Sequence, residues 1–251
     1  MNSRIEDIDP KNTQEFVQYI EETSNESYVV EVQFGEDIIV LEVDPTVFPP
    51  KSEYSVSSKS LLGLIENMEG KAVAEIGVGT GIESIVALKR GAESVDAGDI
   101  NENAVKCARK NMDNNKVGDR ANVFYSDLFE NFPEDKSYDL IIANLPIVNY
   151  NPNNGIEGAI DTAKQKIFDA LYDEDFKLHK RLFEEAKYKL SENGEIIFTH
   201  ANLQSQDTST PDYDFDELEK LIEQYGYYID KVEEYEDIGC KWRSYSIKLI
   251  N

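Results

Sequence analysis

The sequence predicts an α/β fold: a doubly wound, seven-stranded, mostly parallel sheet closed by a C-terminal antiparallel hairpin. Three observations carry that reading. From Lys71 onward, short apolar strands alternate with helical segments, the pattern of a parallel sheet covered on both faces. The first of these strands runs into Gly77-Val78-Gly79-Thr80-Gly81 and then a helix, which presents backbone N–H groups and a bare turn to a ligand. The last two strands have no helix between them, so they pair antiparallel at a sheet edge.

The elements follow in order. Residues 11–22 can form a short amphipathic helix with Phe16, Val17, Tyr19 and Ile20 as its apolar positions. Tyr28–Phe34 and Asp37–Val43 alternate in period two around Gly35-Glu36, a hairpin. Pro45, Pro49 and Pro50 mark a loop. Ser57 to Met68 reads as a helix faced by Leu61, Leu62, Leu64 and Ile65. Strands are then expected at 71–77, 94–99, 121–125, 138–143 and 194–200, and helices at 81–90, 102–112, 174–190 and 214–224. The longest irregular piece, 147–157, follows a strand and is a candidate substrate wall. Tyr227–Tyr235 and Trp242–Ile250 form the closing hairpin. The expected division is an N-terminal helix and hairpin extension over 1–50 and the main domain over 51–251.

Composition narrows the function classes. The 251 residues suffice for one large α/β domain with a short extension. No apolar run is long enough to span a bilayer, and the polar start Met1 to Asp9 does not read as a signal peptide. Cys107 and Cys240 fit no metal spacing and read as reduced thiols, so a cytoplasmic protein is expected, with no metal site. The balance of 25 basic against 50 acidic residues gives a net charge of −25. Nucleic-acid binding draws affinity from basic residues on phosphates, so this charge counts against a nucleic-acid substrate. A small molecule or a basic protein partner fits better.

The glycine turn points to a particular cofactor. The spacing is G-x-G-x-G, whereas a dinucleotide fingerprint wants its third glycine at the position of Ile82. Glu75 precedes the first glycine by two places. A carboxylate there repels a pyrophosphate but suits the ammonium and sulfonium of S-adenosyl-L-methionine. Asp99 stands 22 residues after Gly77, where an acid can accept from ribose hydroxyls. Asp127-Leu128-Phe129 follows the third strand and Asn144-Leu145-Pro146-Ile147 the fourth. In open parallel sheets these strand ends converge on one crevice. Glu75, Gly77, Gly79, Gly81, Asp99, Ile100, Asp127, Leu128 and Asn144 are therefore the cofactor candidates. Asp127 would accept from the adenine amino group, with Leu128 or Phe129 on the ring. Read singly, Asp127 and Asn144 are also ordinary turn residues.

Taken together, these motifs resemble class I S-adenosylmethionine-dependent methyltransferases. The chain is most similar to the branch that carries Asn-Pro-Pro-aromatic after the fourth strand, which includes HemK-like protein-glutamine methyltransferases and enzymes acting on base amines. Val47-Phe48-Pro49-Pro50-Lys51-Ser52-Glu53 and Asp237-Ile238-Gly239-Cys240-Lys241-Trp242-Arg243 resemble segments of the HemK-like side. The resemblance spans about residues 28–251. Here the tetrapeptide is Asn144-Leu145-Pro146-Ile147, without the first proline and the aromatic. The resemblance implies catalytic roles for Asn144, Leu145 and Pro146, with the Asn144 side chain and the Leu145 carbonyl holding an NH2 group. Ile147 cannot stack on a base, a second count against nucleic acid.

Tyr150, Tyr54 and His200 are the substrate-binding candidates. His200 ends the fifth strand and could take a proton as charge develops on nitrogen; its bland alternative is a strand-end residue. His179 lies in a charged helix and is expected to face solvent. The expected function is methylation of an amide or amine nitrogen of a small molecule or protein side chain. The alternatives are a methyltransferase for RNA or DNA base amines and a catalytically silent binding subunit.

Overall fold

The computed structural model describes residues 26–48, 56–147, 173–202, 213–237 and 240–250. The predicted helix at 11–22, most of the loop at 147–157, Tyr54 and Tyr150 lie outside the described residues.

β1 (Tyr28–Phe34) and β2 (Asp37–Val43) form the predicted hairpin. Period-two alternation buries Val30, Val32, Ile39, Leu41 and Val43. α1 (Val56–Leu64) stops short of the predicted Met68. Ile65 and Met68 are core residues all the same. Beyond α1 the backbone bonds elsewhere: the Met68 and Gly70 N–H groups donate to the carbonyls of Arg90 (3.3 Å) and Gly91 (3.1 Å). Apolar spacing marks burial, and here burial outlasts the helix.

Five elements follow within about two residues of expectation: β3 (Ala72–Ile76), α2 (Ile82–Lys89), β4 (Ser94–Asp99), α3 (Glu102–Asn114) and β5 (Ala121–Tyr125). β6 (Tyr138–Ala143) matches as well. α4 (Lys177–Ala186) is shorter than the predicted 174–190, because Glu174–Phe176 form a 3-10 turn and Leu190 already opens β7 (Leu190–Ala201). The β6–β7 register moves from Tyr138↔Leu190 to Leu140↔Glu195, a bulge that absorbs the early strand residues. α5 (Tyr213–Gln224), β8 (Tyr227–Asp237) and β9 (Cys240–Leu249) complete the chain.

The sheet order is β5-β4-β3-β6-β7-β9-β8. The first five strands in this order run parallel, and β9 pairs antiparallel with both β7 and β8. Strand order reverses at β3 and β6, so their carboxyl ends form the switch point where ligands bind. The core has a cluster on each face. One joins the hairpin to α1, α2 and α3 through Leu61, Ile85, Val86, Ala108 and Met112. The other packs α4 and α5 with Phe129, Phe132, Phe183, Phe198 and Tyr245.

The hairpin is fastened to α3 by two asparagines. The Asn111 side chain bonds the backbone of Glu42 (2.8 and 2.9 Å), and that of Asn115 bonds Val40 (2.8 and 3.2 Å). Four residues of helix rise about 6 Å and two of strand about 7 Å. The two spacings match, and the amides close the β2 edge as a neighbouring strand would.

Candidate active site

The glycine turn is built around left-handed backbone. Gly79 has φ +49°, and a Cβ there would meet nothing within 4 Å. The turn is therefore open above its middle glycine. Gly81, at φ +82°, serves packing instead: a Cβ would lie 3.2 Å from the Ala108 Cβ and 3.3 Å from the Met112 Cε on α3. The turn is pinned from β4, where the Gly98 carbonyl accepts from the Gly77 and Val78 N–H groups (2.9 and 3.1 Å).

Glu75 is buried at 1 % exposure, below the turn. One of its carboxyl oxygens accepts from the Ser84 N–H (3.0 Å) and the Ser84 hydroxyl, which ties the turn to the first turn of α2. The other oxygen accepts from no donor. Its neighbour is the carboxyl of Glu83, also buried at 4 % exposure. Burial, then the charge of Glu83, holds the Glu75 carboxyl well above the ordinary glutamate value. Burial also raises Glu83, opposed by hydrogen bonds from Ser58, its own N–H, Asn144 and Glu75.

Asp99 ends β4 beside the turn. Its carboxylate accepts from the N–H groups of Gly79 (3.0 Å) and Asn101 (2.8 Å), and burial raises its pKa. Asn101 caps α3 and, with Asn103, holds Thr46 of the segment after β2 (2.8 and 2.7 Å). Ile100 stands 64 % exposed on the same rim. Beyond β5, Leu128 takes a left-handed φ of +48° while its side chain is buried. Strained non-glycine residues of this kind concentrate at ligand clamps. Phe129 is buried against Phe132 (5.2 Å), in the core. Asp127 is half-exposed and paired with Arg181 of α4 (3.0 and 3.1 Å).

Asn144 leaves β6 at the switch point. Its backbone carbonyl lies against the glycine turn, 3.9 Å from where a Gly77 Cβ would stand. Its side-chain NH2 donates to Ser58 of α1 and Glu83 of α2, both at 3.2 Å. α1 is held in turn by a chain of hydroxyls. Tyr235 donates to Ser60 (2.6 Å) and meets Thr199 (3.2 Å). Leu145 is buried, and Pro146 is half-buried.

The structure thus brings Glu75, Gly77, Gly79, Gly81, Asp99, Ile100 and Asn144 to one crevice, with Asp127 and Leu128 at the end of the neighbouring strand. His200 is not gathered with Asn144. It packs on the opposite face of the sheet, against Phe176 (5.5 Å) and His179 (5.6 Å), at 2 % exposure. Burial, then the nearby His179, pushes its pKa well down. The expectation that His179 faces solvent is overturned: it is fully buried, with Nδ1 2.6 Å from the Asp173 carboxylate. His179, Leu182, Phe183 and Ala186 make one buried stripe on α4, a helical spacing that the charged neighbours mask. Ser58 and Glu83 escaped the sequence reading. The available signal for Glu83 was an acid in a helix otherwise apolar enough to be buried all round. Among the described residues no cluster of His, Cys, Asp or Glu could hold a metal, and no helix is long and apolar enough to cross a membrane. Cys107 is a buried free thiol, its pKa pushed up by burial to about 11.

A glycine turn at the switch point, with an acid at the next strand end, defines an α/β protein that binds an adenosine cofactor. Comparison narrows the class. A family model described as methyltransferase small domain matches residues 39–169, over half the chain. The chain belongs to this family of S-adenosylmethionine-dependent methyltransferases. A putative protein N5-glutamine methyltransferase from Methanocaldococcus jannaschii is 35 % identical over 50 % of this chain and 59 % of its own length. A ribosomal protein L11 methyltransferase from Haemophilus influenzae is 34 % identical over 45 % of this chain and 41 % of its own. The chain thus spans less than two thirds of the length of these relatives.

Solved structures share the fold. A ribosomal protein L11 methylase from Lactobacillus delbrueckii subsp. bulgaricus superposes with a TM-score of 0.57 at 21 % identity, over 83 % of this chain and 84 % of that one. The 16S rRNA N2 G1207 methyltransferase of T. thermophilus, in complex with AdoMet and guanosine, gives 0.61 at 16 % identity, over 88 % and 50 %. The charge argument against nucleic acid finds no support here, because the neighbours include an rRNA enzyme.

Proposed function

We propose that this chain transfers a methyl group from S-adenosylmethionine to an amide or amine nitrogen, with a protein side chain as the favoured acceptor. The observation that carries the reading is the placement of Asn144. Its carbonyl adjoins the glycine turn, and its side chain is fixed between α1 and α2 at the mouth of the switch point. The chain's residues fit the cofactor. The open space over Gly79 admits it, the buried acids below the turn suit its cationic end, and Asp99 retains lone pairs for ribose hydroxyls. Asp127 would take the adenine amine, with Ile100 and the Leu128 backbone at the ring. When bound, S-adenosylmethionine supplies an electrophilic methyl on a sulfonium.

The protein contributes position. Asn144 accepts a hydrogen bond from the acceptor NH2 and so turns the nitrogen lone pair toward the methyl, while the Leu145 carbonyl takes the second N–H. The nitrogen so held would take the methyl that S-adenosylmethionine supplies, leaving S-adenosylhomocysteine, and would give up a proton to water. Holding the two reactants in line accounts for much of such a rate gain. Similarity to a protein-glutamine and to L11 methyltransferases supports a protein acceptor and the HemK-like branch. An RNA base amine is the second reading, favoured by the rRNA neighbour and opposed by the net charge of −25.

The test is methyl transfer from radiolabelled S-adenosylmethionine into separated protein, RNA and metabolite fractions. Label in protein, abolished by Asn144→Ala with cofactor affinity kept, is the expected result. Label confined to RNA overturns the favoured acceptor, and full turnover by Asn144→Ala overturns the site.

A further inference from the structure

We propose that Glu83 and Ser58 are positioning residues: together they take both N–H groups of the Asn144 carboxamide and leave its oxygen as the end that meets an acceptor. The inference rests on the reading of Asn144 as the acceptor-holding residue. A primary amide carries two donors on nitrogen and an acceptor oxygen. Here the nitrogen donates to the Ser58 hydroxyl and to Glu83 Oε1, each at 3.2 Å. No hydrogen bond to Asn144 Oδ1 forms among the described residues. An unrestrained amide could turn by half a circle and present either end. With a carboxyl oxygen on its nitrogen side, turning would set two oxygens against each other. The crevice is therefore built to read a donor. It takes a nitrogen that still carries hydrogen and rejects a carboxylate or any other acceptor lacking a proton to give.

Packing alone does not account for Glu83. Every α2 residue from Ile82 to Leu88 is buried, and an apolar side chain would fill the same space without the cost of burying a carboxyl group. The groups that face it are Ser58 from α1, Asn144 from β6, Glu75 from β3 and its own N–H, with Asp99 of β4 beyond Glu75. Glu83 forms no ion pair with a basic side chain among the described residues. What its carboxyl group gains from these neighbours is orientation: the amide of Asn144 fixes one oxygen, with the Glu75 carboxyl close by.

The test follows the Asn144 side-chain amide by 15N NMR in the full chain loaded with S-adenosylhomocysteine, across a pH series. In the wild type its two protons should be protected from exchange, and their shifts should move as Glu83 takes a proton in acid. Glu83→Gln retains a carbonyl acceptor, so protection should survive while the pH response disappears. Glu83→Leu should lose both, and Ser58→Ala should free one of the two protons. Unchanged amide resonances in Glu83→Leu, or no rescue by Glu83→Gln, overturn the proposal. If Glu83→Leu does not fold, Ser58→Ala and the pH response of the wild type decide it. A primary-amide probe, N-acetylglutaminamide, is then titrated into the wild type. Protected Asn144 protons with no response to this probe support the positioning and refute the acceptor role.

Discussion

Gly79 and Gly81 share a backbone conformation but differ in surroundings, so one substitution at each separates cofactor binding from packing. Alanine in the left-handed region costs about 1–2 kcal/mol, offset by up to about 1 kcal/mol from the stiffer unfolded chain. At Gly79 nothing lies within 4 Å of the new methyl, so Gly79→Ala should lose only about 1 kcal/mol of stability. At Gly81 the methyl meets Ala108 and Met112 at 3.2 and 3.3 Å. Overpacking of that kind adds about 1–3 kcal/mol, bringing the expected loss to about 2–4 kcal/mol. For a chain of this size that is a fall in Tm of roughly 10 °C. Scanning calorimetry measures the stability, and titration calorimetry with S-adenosylmethionine measures the affinity. Gly79→Ala should fold almost normally and bind the cofactor at least tenfold more weakly, because its methyl stands in the open crevice. Equal stability losses in the two variants, or unchanged affinity in Gly79→Ala, would refute the division of roles.

Other consequences follow from charge. The raised Glu75 pKa means that its protonated form favours the fold: the benefit is complete below about pH 4.5 and is lost as pH rises toward the folded value. Glu75→Gln should therefore gain on the wild type by up to about 1.4 kcal/mol per pH unit above that point, read from urea midpoints; a gap that does not vary with pH would contradict this. His200 works in the opposite direction. It is held neutral in the fold and charges near pH 6.5 when unfolded, so stability should fall below that pH by up to about 1.4 kcal/mol per unit. His200→Gln should flatten this acid limb in the same urea series. The Arg181–Asp127 pair is half-exposed, so Arg181→Ala should change stability by no more than about 1 kcal/mol. Asp127→Ala, but not Arg181→Ala, should weaken cofactor binding in calorimetry.

Sheet, hairpin and cofactor turn were legible because each is written locally. Period-two alternation located β1 and β2 to the residue, and the glycine spacing located the turn between β3 and α2. Boundaries failed where tertiary contacts decide the backbone bonding. Ile65 and Glu66 still donate to α1 carbonyls, but Met68 and Gly70 bond the turn after α2, and Leu190 joins β7 only through a bulge. His179 failed for a related reason. Its neighbours are charged, but Asp173, distant by six residues, satisfies its nitrogen and allows the ring inside. Ser58 and Glu83 could not be paired with Asn144 from sequence at all, because they are 86 and 61 residues from it.

The sheet itself separates the chemistry. Residues that alternate along β6 and β7 face opposite layers, so Asn144 turns to α1 and α2 while His200 turns to α4. One residue of register decides which face a side chain joins. The His200 ring therefore cannot reach an acceptor held by Asn144 without crossing the sheet, and its buried, neutral state belongs to the aromatic layer around Phe176, Phe183 and Phe198. The acids lie on the other face. Glu75, Glu83 and Asp99 gather beneath and beside the turn, two of them within the first cluster's layer. A cationic donor would be drawn to that side, and a hydrogen-bearing nitrogen would be read there by Asn144. On the proposed reading, the methyl donor and the nitrogen that receives it would meet on the α1–α2 face of the switch point.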